Sequence, residues 1–427
     1  RLPRVWKTAK ASFCKVTWIW FRKKNEDTRH DFTKDPIDAY IDGEWVRAKG
    51  TTLGADNGMG VAAAMAVLTA TDIQHGPIEV LITATEETGM DGANGLKPGV
   101  LKGDILLNLD SETEGELYVG CAGGLDATVE FNYKKAAVPA GSKAYKLALK
   151  GLKGGHSGMD INLGRGNSNK LLFRFLKTHA QELNLQIATI NGGSLRNAIP
   201  RETFAVITLP AANADKFLAK IKEAEAIYKA ELIEKDPDVK LLAEETEMPA
   251  HVMDADLQWR LTDAILGCPN GTVRMIDSMP DTVETSNNLA IVQTRDDKIV
   301  INTLMRSSVE TAKDYLAECL QSVFELAKAD NIQFDGAYPG WKPNPQSAIL
   351  KSMQDTYRKM FNKEARIMAV HAGLECGILG AKYPGWDMIS FGPTICHPHS
   401  PDEKVNIPSV GKFWEFLKET LKEAPKK

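Results

Sequence analysis

The stretch IEVLITATEETGMDG, residues 78–92, decides the fold class. Ile78 to Thr85 is a short run rich in β-branched residues and reads as a strand, and it opens directly into the acidic pair Glu86-Glu87 and a glycine-bearing turn. Upstream lies GVAAAMAVLTA (60–70), a small-residue helix; downstream come two further strand-like runs, DILLNLD (104–110) and YVGCAGG (118–124). Strands alternating with helices predict an α/β fold with a mixed sheet flanked by helices. In such sheets the ligand site lies beyond the carboxyl ends of the strands. Glu86 and Glu87 follow one strand end and Asp110 follows another, so acidic chemistry is expected at one edge of the sheet.

The totals allow a large core. The chain has 427 residues, 43% of them hydrophobic and 25% charged, which is ordinary globular composition and long enough for more than one domain. A formal net charge of -4 predicts no nucleic-acid partner, and the basic opening (Arg1, Arg4, Lys7, Lys10, Lys15) is too short to reverse that. No run reaches the roughly 18 apolar residues that span a bilayer, and the cluster Trp18 to Phe21 is followed at once by cations, so no membrane partner is expected. The six cysteines are scattered without a C-x-x-C pair, which suits a reducing, cytoplasmic setting. The chain opens on Arg1 without a signal-peptide pattern, and its start is expected to be truncated.

The texture changes around AAVPAGSKA (136–144), passes through the turn-rich GLKGGHSGMD, and runs into a charged helix over 215–235 that Pro237 closes. A Pro/Gly-rich link, GAYPGWKPNPQ (336–346), then returns to helix and to the strand-like WDMISFGP. The expected domains are a first catalytic part over 1–135, an inserted α/β lid over 136–336, and a second catalytic part over 337–427.

Four segments carry the chemistry: TTLGADNGMG with Asp56, ITATEETGMDG with Glu86 and Glu87, LLNLDSETEGE with Asp110, and CHPHSPDEKV with His399. Each residue has a plainer reading alone: Asp56 as a turn former, the glutamate pair as a solvated strand exit, Asp110 as a helix cap, His399 as a loop histidine. Together, carboxylates and imidazole are what two zinc or manganese ions about 3.5–4 Å apart need, one carboxylate bridging them.

GTTLGADNG, EETGMDGA, LDSETEGE, GCAGG, GLKGGHSG, GNSNKLL, LRNAIPRE, GAYPGW, HAGLECG and GPT…PHSPDE together resemble the cytosolic aminoacyl-histidine dipeptidases, which share a clan with aminoacylases and carboxypeptidase-type deacylases. The resemblance spans nearly all of residues 25–427. It implies a split zinc-peptidase domain with an inserted lid, two zinc ions (manganese or cobalt as substitutes), short-peptide substrates, and a homodimer through the lid. It also implies Asp56 as bridging carboxylate, Glu87 and Asp110 as ligands to one metal each, His399 as ligand to the other metal, and Glu86 as general base. His156 in the lid would reach a substrate carboxylate or the developing oxyanion, and Asn197 and Arg306 would anchor the substrate terminus. His371 and Glu375 are placed near the cleft, as readers of the peptide amine or as helix-packing groups. His397 departs from the family, which has a small residue there.

One ligand is missing. The family pattern is H-L-D-M followed by V-P-Q-K-N, and residues 1–24 contain neither the His nor the Asp. A permitted back-translation of those residues, shifted by one nucleotide, reads PATGMENRQSELLQGHLDMVPQK. Trp18-Ile19 is forced to yield Asp, Trp20-Phe21 to yield Val, and Trp6-Lys7 to yield Glu, whichever synonymous codons are used. Residues 1 to about 23 are therefore expected to be a frameshifted reading, with Thr17 in the slot of the His and Ile19 in that of the Asp. A chain so altered is expected to be inactive and poorly stable. An inactive remnant and a deacylase of the same clan stand as alternatives to the dipeptidase.

Overall fold

The computed structural model describes residues 12–17, 22–86 and 89–425; the Trp18–Phe21 cluster with Ile19, the opening residues 1–11, and Glu87 with Thr88 lie outside the described residues. The chain divides into two units. The first takes in the described residues up to Cys121 together with Gly340–Ala369 and Gly373–Lys427, and the second takes in Ala122–Pro339 and Val370–Ala372.

The first unit is built on a six-stranded sheet in the order Arg366–Val370, Glu116–Cys121, Asp387–Ser390, Ile105–Asn108, Ser12–Thr17, Ile78–Thr83. The last four run parallel, and Glu116–Cys121 is antiparallel to Asp387–Ser390. Ser12–Thr17 sits between two parallel neighbours with Lys15 opposite Leu81 on one side and Asn108 on the other. Strand alternation sends Cys14 and Val16 to one face, where both are buried, and Lys15 to the opposite face. Because these strands share a direction, Glu86, Asp110 and the segment after Ser390 all leave at the same edge.

Helix Ala55–Thr69 packs tightly against that edge. A Cβ added at Gly60 would stand 2.6 Å from the Leu109 carbonyl, so only glycine allows the approach. Its first turn is irregular, with Asp56 at φ -86°, ψ 109°. A four-stranded sheet, in the order Ala39–Asp42, Trp45–Ala48, Lys404–Asn406, Ile395–Cys396, brings the histidine loop 397–403 back beside the start of this helix.

The second unit carries a nine-stranded sheet whose longest pairing joins Met279–Arg295 to Lys298–Ser307. Gly123–Asn132 pairs along its whole length with Lys298–Ser307, which ties it to this unit. The boundary therefore falls at Cys121/Ala122, ahead of the change in texture at 136 on which the sequence reading placed it. Alternate residues Ala127, Val129 and Phe131 point into a core shared with Phe173, Phe175, Phe217 and Phe324. Helices Ser168–Leu183 and Ala255–Gly267 start on side-chain caps: Asn167 accepts from the Lys170 N–H at 3.2 Å and Asp254 from the Leu257 N–H at 3.0 Å.

Candidate active site

Asp56 and His399 are brought together in the first unit, with His399 Nε2 3.0 Å from Asp56 Oδ2. The link that holds them is Glu403, a carboxylate the sequence reading did not single out. It is 2% exposed and accepts three backbone hydrogen bonds, from Leu53 N–H (2.7 Å), Gly54 N–H (2.9 Å) and Asp56 N–H (3.1 Å). Hydrogen bonds to a charged group contribute about 1.5–3 kcal/mol each, enough to fix the 397–403 loop against the Asp56 turn. A signal was present in the sequence: Glu403 belongs to the same PHSPDE segment as His399. His397, the departure noted above, is exposed.

Asp110 lies in different company. The Lys15 Nζ donates to Asp110 Oδ2 at 3.1 Å and stands 2.6 Å from Glu375 Oε2, which also accepts from Thr83 Oγ1 at 2.6 Å. Lys15 is 1% exposed and Glu375 is buried with it. Burial opposes the charged ammonium, but the fields of Asp110 and Glu375 outweigh it, and the Lys15 pKa is raised. Glu86 stands half-buried just past the end of strand Ile78–Thr83. Glu87 lies outside the described residues, so its place relative to these groups is not described.

The second unit gathers a separate cluster. His156 Nδ1 accepts from the Gly158 and Met159 N–H groups, both at 3.1 Å, which leaves Nε2 to carry the proton of the neutral ring. Burial lowers the His156 pKa, the neighbouring Arg306 lowers it further, and Asp160 partly opposes them. Arg306 is buried, donating to the Ser157 hydroxyl at 3.4 Å and the Tyr338 hydroxyl at 3.0 Å. His371 is buried with Nε2 2.7 Å from Ser286 Oγ, and its pKa is pushed down to about 3 by burial first and then by Arg306. Asn197 joins through its backbone, its carbonyl accepting from the Ser157 N–H at 2.8 Å while the residue itself is exposed. Of the residues implied for substrate, His156 and Arg306 thus lie in one cluster with His371, both histidines within the field of Arg306. Glu375 belongs to the other unit.

The sequence is similar across almost its whole length to curated and solved dipeptidases. It is 50% identical to the cytosol non-specific dipeptidase of Escherichia coli (strain K12) over 405 residues, covering 95% of this chain and 83% of that protein. The crystal structure of the aminoacylhistidine dipeptidase from Vibrio alginolyticus superposes with a TM-score of 0.95 at 50% identity, over 98% of this chain and 85% of that one. The chain belongs to the M20 dipeptidase family. Within it, residues 147–236 match the peptidase dimerisation domain of M20 proteins. Aminopeptidase PepT from Bacillus cereus ATCC 10987, at 14% identity and a TM-score of 0.52 over 99% of this chain and 83% of that one, shares the fold. The relatives at high identity are dipeptidases, and the family implies a metal cofactor.

The donors of this dipeptidase-family chain fit such a metal only in part. Asp56 and His399 have the right chemistry and are in contact. At Asp110 the structure places an ammonium where a metal ligand would need an open cation site. Among the described residues, no group of three or more His, Cys, Asp or Glu side chains is arranged to hold a metal ion. Among the described residues, Asp56, Asp110 and His399 as placed do not fit a pair of metal ions.

Proposed function

We propose that the fold is that of a dipeptidase acting on short peptides with a free amine, aminoacyl-histidines among them, and that this chain has lost turnover through the exchange of residues 1–24. The observation that carries the reading is the Lys15 ammonium against Asp110, in the strand that leads up to the Thr17 and Ile19 slots of the family's H-x-D motif. In the intact relative, Asp56, Glu87, Asp110 and His399 together with the missing histidine would hold two zinc ions, which supply Lewis-acid chemistry when bound. Glu86 would take the proton of the attacking water on its carboxylate and return it to the leaving amine. Arg306 and the Nε2–H of His156 would meet the substrate carboxylate, with Asn197 beside them. The match of residues 147–236 to a dimerisation domain supports a homodimer through the second unit, and the relative named a cytosol dipeptidase supports a cytoplasmic setting. No helix among the described residues is long and apolar enough to cross a membrane.

The test compares this chain with one in which residues 1–24 are replaced by PATGMENRQSELLQGHLDMVPQK. Both are assayed with zinc on Xaa-His dipeptides, and on N-acyl amino acids to separate a deacylase. Dipeptide turnover by the replaced chain alone is the expected result. Turnover by the unaltered chain, or none by the replaced one, overturns the reading.

A further inference from the structure

We propose that Lys15 is a built-in monovalent cation that holds Asp110 and Glu375 in place of a divalent ion, so that this chain neutralises half of its own metal centre. The inference rests on the reading of Asp110 as part of a dipeptidase metal site, and adds to it a specific occupant. Three observations carry it.

The contacts are those of an ion bound by ligands: one ammonium within hydrogen-bond distance of two carboxylates from different elements, Asp110 beyond strand Ile105–Asn108 and Glu375 in the first turn of helix Glu375–Lys382. The location is buried, with side-chain exposures of 1% for Lys15, 0% for Glu375 and 18% for Asp110, so solvent does little to screen the three charges. The position is fixed by the backbone as well. The Leu109 N–H donates to the Lys15 carbonyl at 2.9 Å, and pairing with Leu81 and Asn108 sets the register. A slip of one residue would turn Cys14 or Val16 towards the carboxylates and send the ammonium to the apolar face.

A divalent ion brought to Asp110 would meet the ammonium at close range, and like charges in a buried site repel strongly. Lysine and ion are therefore alternatives at this place. Each neutralises the carboxylates, and only the ion can act as a Lewis acid.

Binding of Mn2+ measured by equilibrium dialysis, together with melting temperature at rising Mn2+, tests the proposal on four full-length chains: the unaltered one, Lys15→Met, Lys15→Arg, and the one with residues 1–24 replaced as above. The expected counts are at most one ion for the unaltered chain and Lys15→Arg, one more for Lys15→Met, and two for the replaced chain. Lys15→Met should also melt higher as Mn2+ is added, with no such rise in Lys15→Arg. Two ions in the unaltered chain, or no gain in Lys15→Met, overturns the proposal. A Lys15→Met chain that folds only with Mn2+ supports it. If that variant does not fold at all, the unaltered chain decides: two ions overturn the proposal and fewer support it. A replaced chain that binds none defeats the metal-centre reading itself, and the proposal with it.

Discussion

Among the described residues the first unit buries Lys15 and the second buries Arg306 and Lys313, and Lys15 and Arg306 are treated in opposite ways. In the first unit Lys15 is held by two carboxylates, Asp110 and Glu375. In the second, Arg306 is 5% exposed and its hydrogen bonds go to neutral hydroxyls, Ser157 and Tyr338. The charge of Lys15 is thus neutralised inside the protein, whereas that of Arg306 acts on its surroundings, adding to burial in lowering the pKa values of His156 and His371. A cation that meets a substrate carboxylate must keep its charge available, and a cation that completes a core must not. On the function proposed above, the second unit keeps a cation for a substrate carboxylate and the first pairs its cation internally.

The comparison can be broken at several points. The largest effect should come from replacing residues 1–24 by the H-x-D reading. The unaltered chain should show no dipeptidase turnover above buffer, and the replaced chain a rate enhancement of at least ~10⁶ over the uncatalysed reaction. Equal, absent turnover in both would mean that the first unit lost its function elsewhere. Next in size is Lys15→Met, which removes the cation between buried Glu375 and half-buried Asp110 and should cost about 3–5 kcal/mol in urea unfolding without metal. Arg306→Met, measured the same way, should cost about 2 kcal/mol, because it removes hydrogen bonds from a charged donor to neutral partners and leaves no buried charge unpaired. A larger loss at Arg306 than at Lys15 would reverse the contrast between the units.

Another effect is one of pH. His371 has a folded pKa of about 3 against an ordinary value of 6.5, so between those values the unfolded chain binds the proton and the folded chain does not. Its contribution is fully present above about pH 6.5 and is lost as pH falls, at about 1.4 kcal/mol per pH unit towards pH 3. His371→Asn should flatten that part of the stability profile; an unchanged slope would place the titrating group elsewhere.

Much of this was legible in the residues. The strand Ile78–Thr83 with its acidic exit was visible as a β-branched run, and Asp110 as the end of another. The partners of these groups were not. Glu403 reaches Asp56 across 347 positions and Lys15 reaches Asp110 across 95, and separations of that size leave no periodicity or local motif to read. Lys15 counted in the sequence only as one of several basic residues at the start. Residues 123–132 were grouped with the first catalytic part for a similar reason. Their strand character is local, and the partner that claims them, Lys298–Ser307, is far along the chain.

The sequence by itself determined the α/β class and the family, and it put forward the acidic and histidine donors and the absence of an H-x-D motif, because each depends on residue type and short-range order. Only the tertiary structure decided what the segment leading into the slots of that motif presents to Asp110. A strand needs backbone hydrogen bonds and alternating burial, and Ser12–Thr17 supplies both with Cys14 and Val16 turned inward. The same alternation delivers Lys15 to the opposite face, where Asp110 and Glu375 converge from distant parts of the chain. The sheet accepts any segment that meets its backbone and packing demands; the chemistry at its edge depends on the one side chain that the register happens to present.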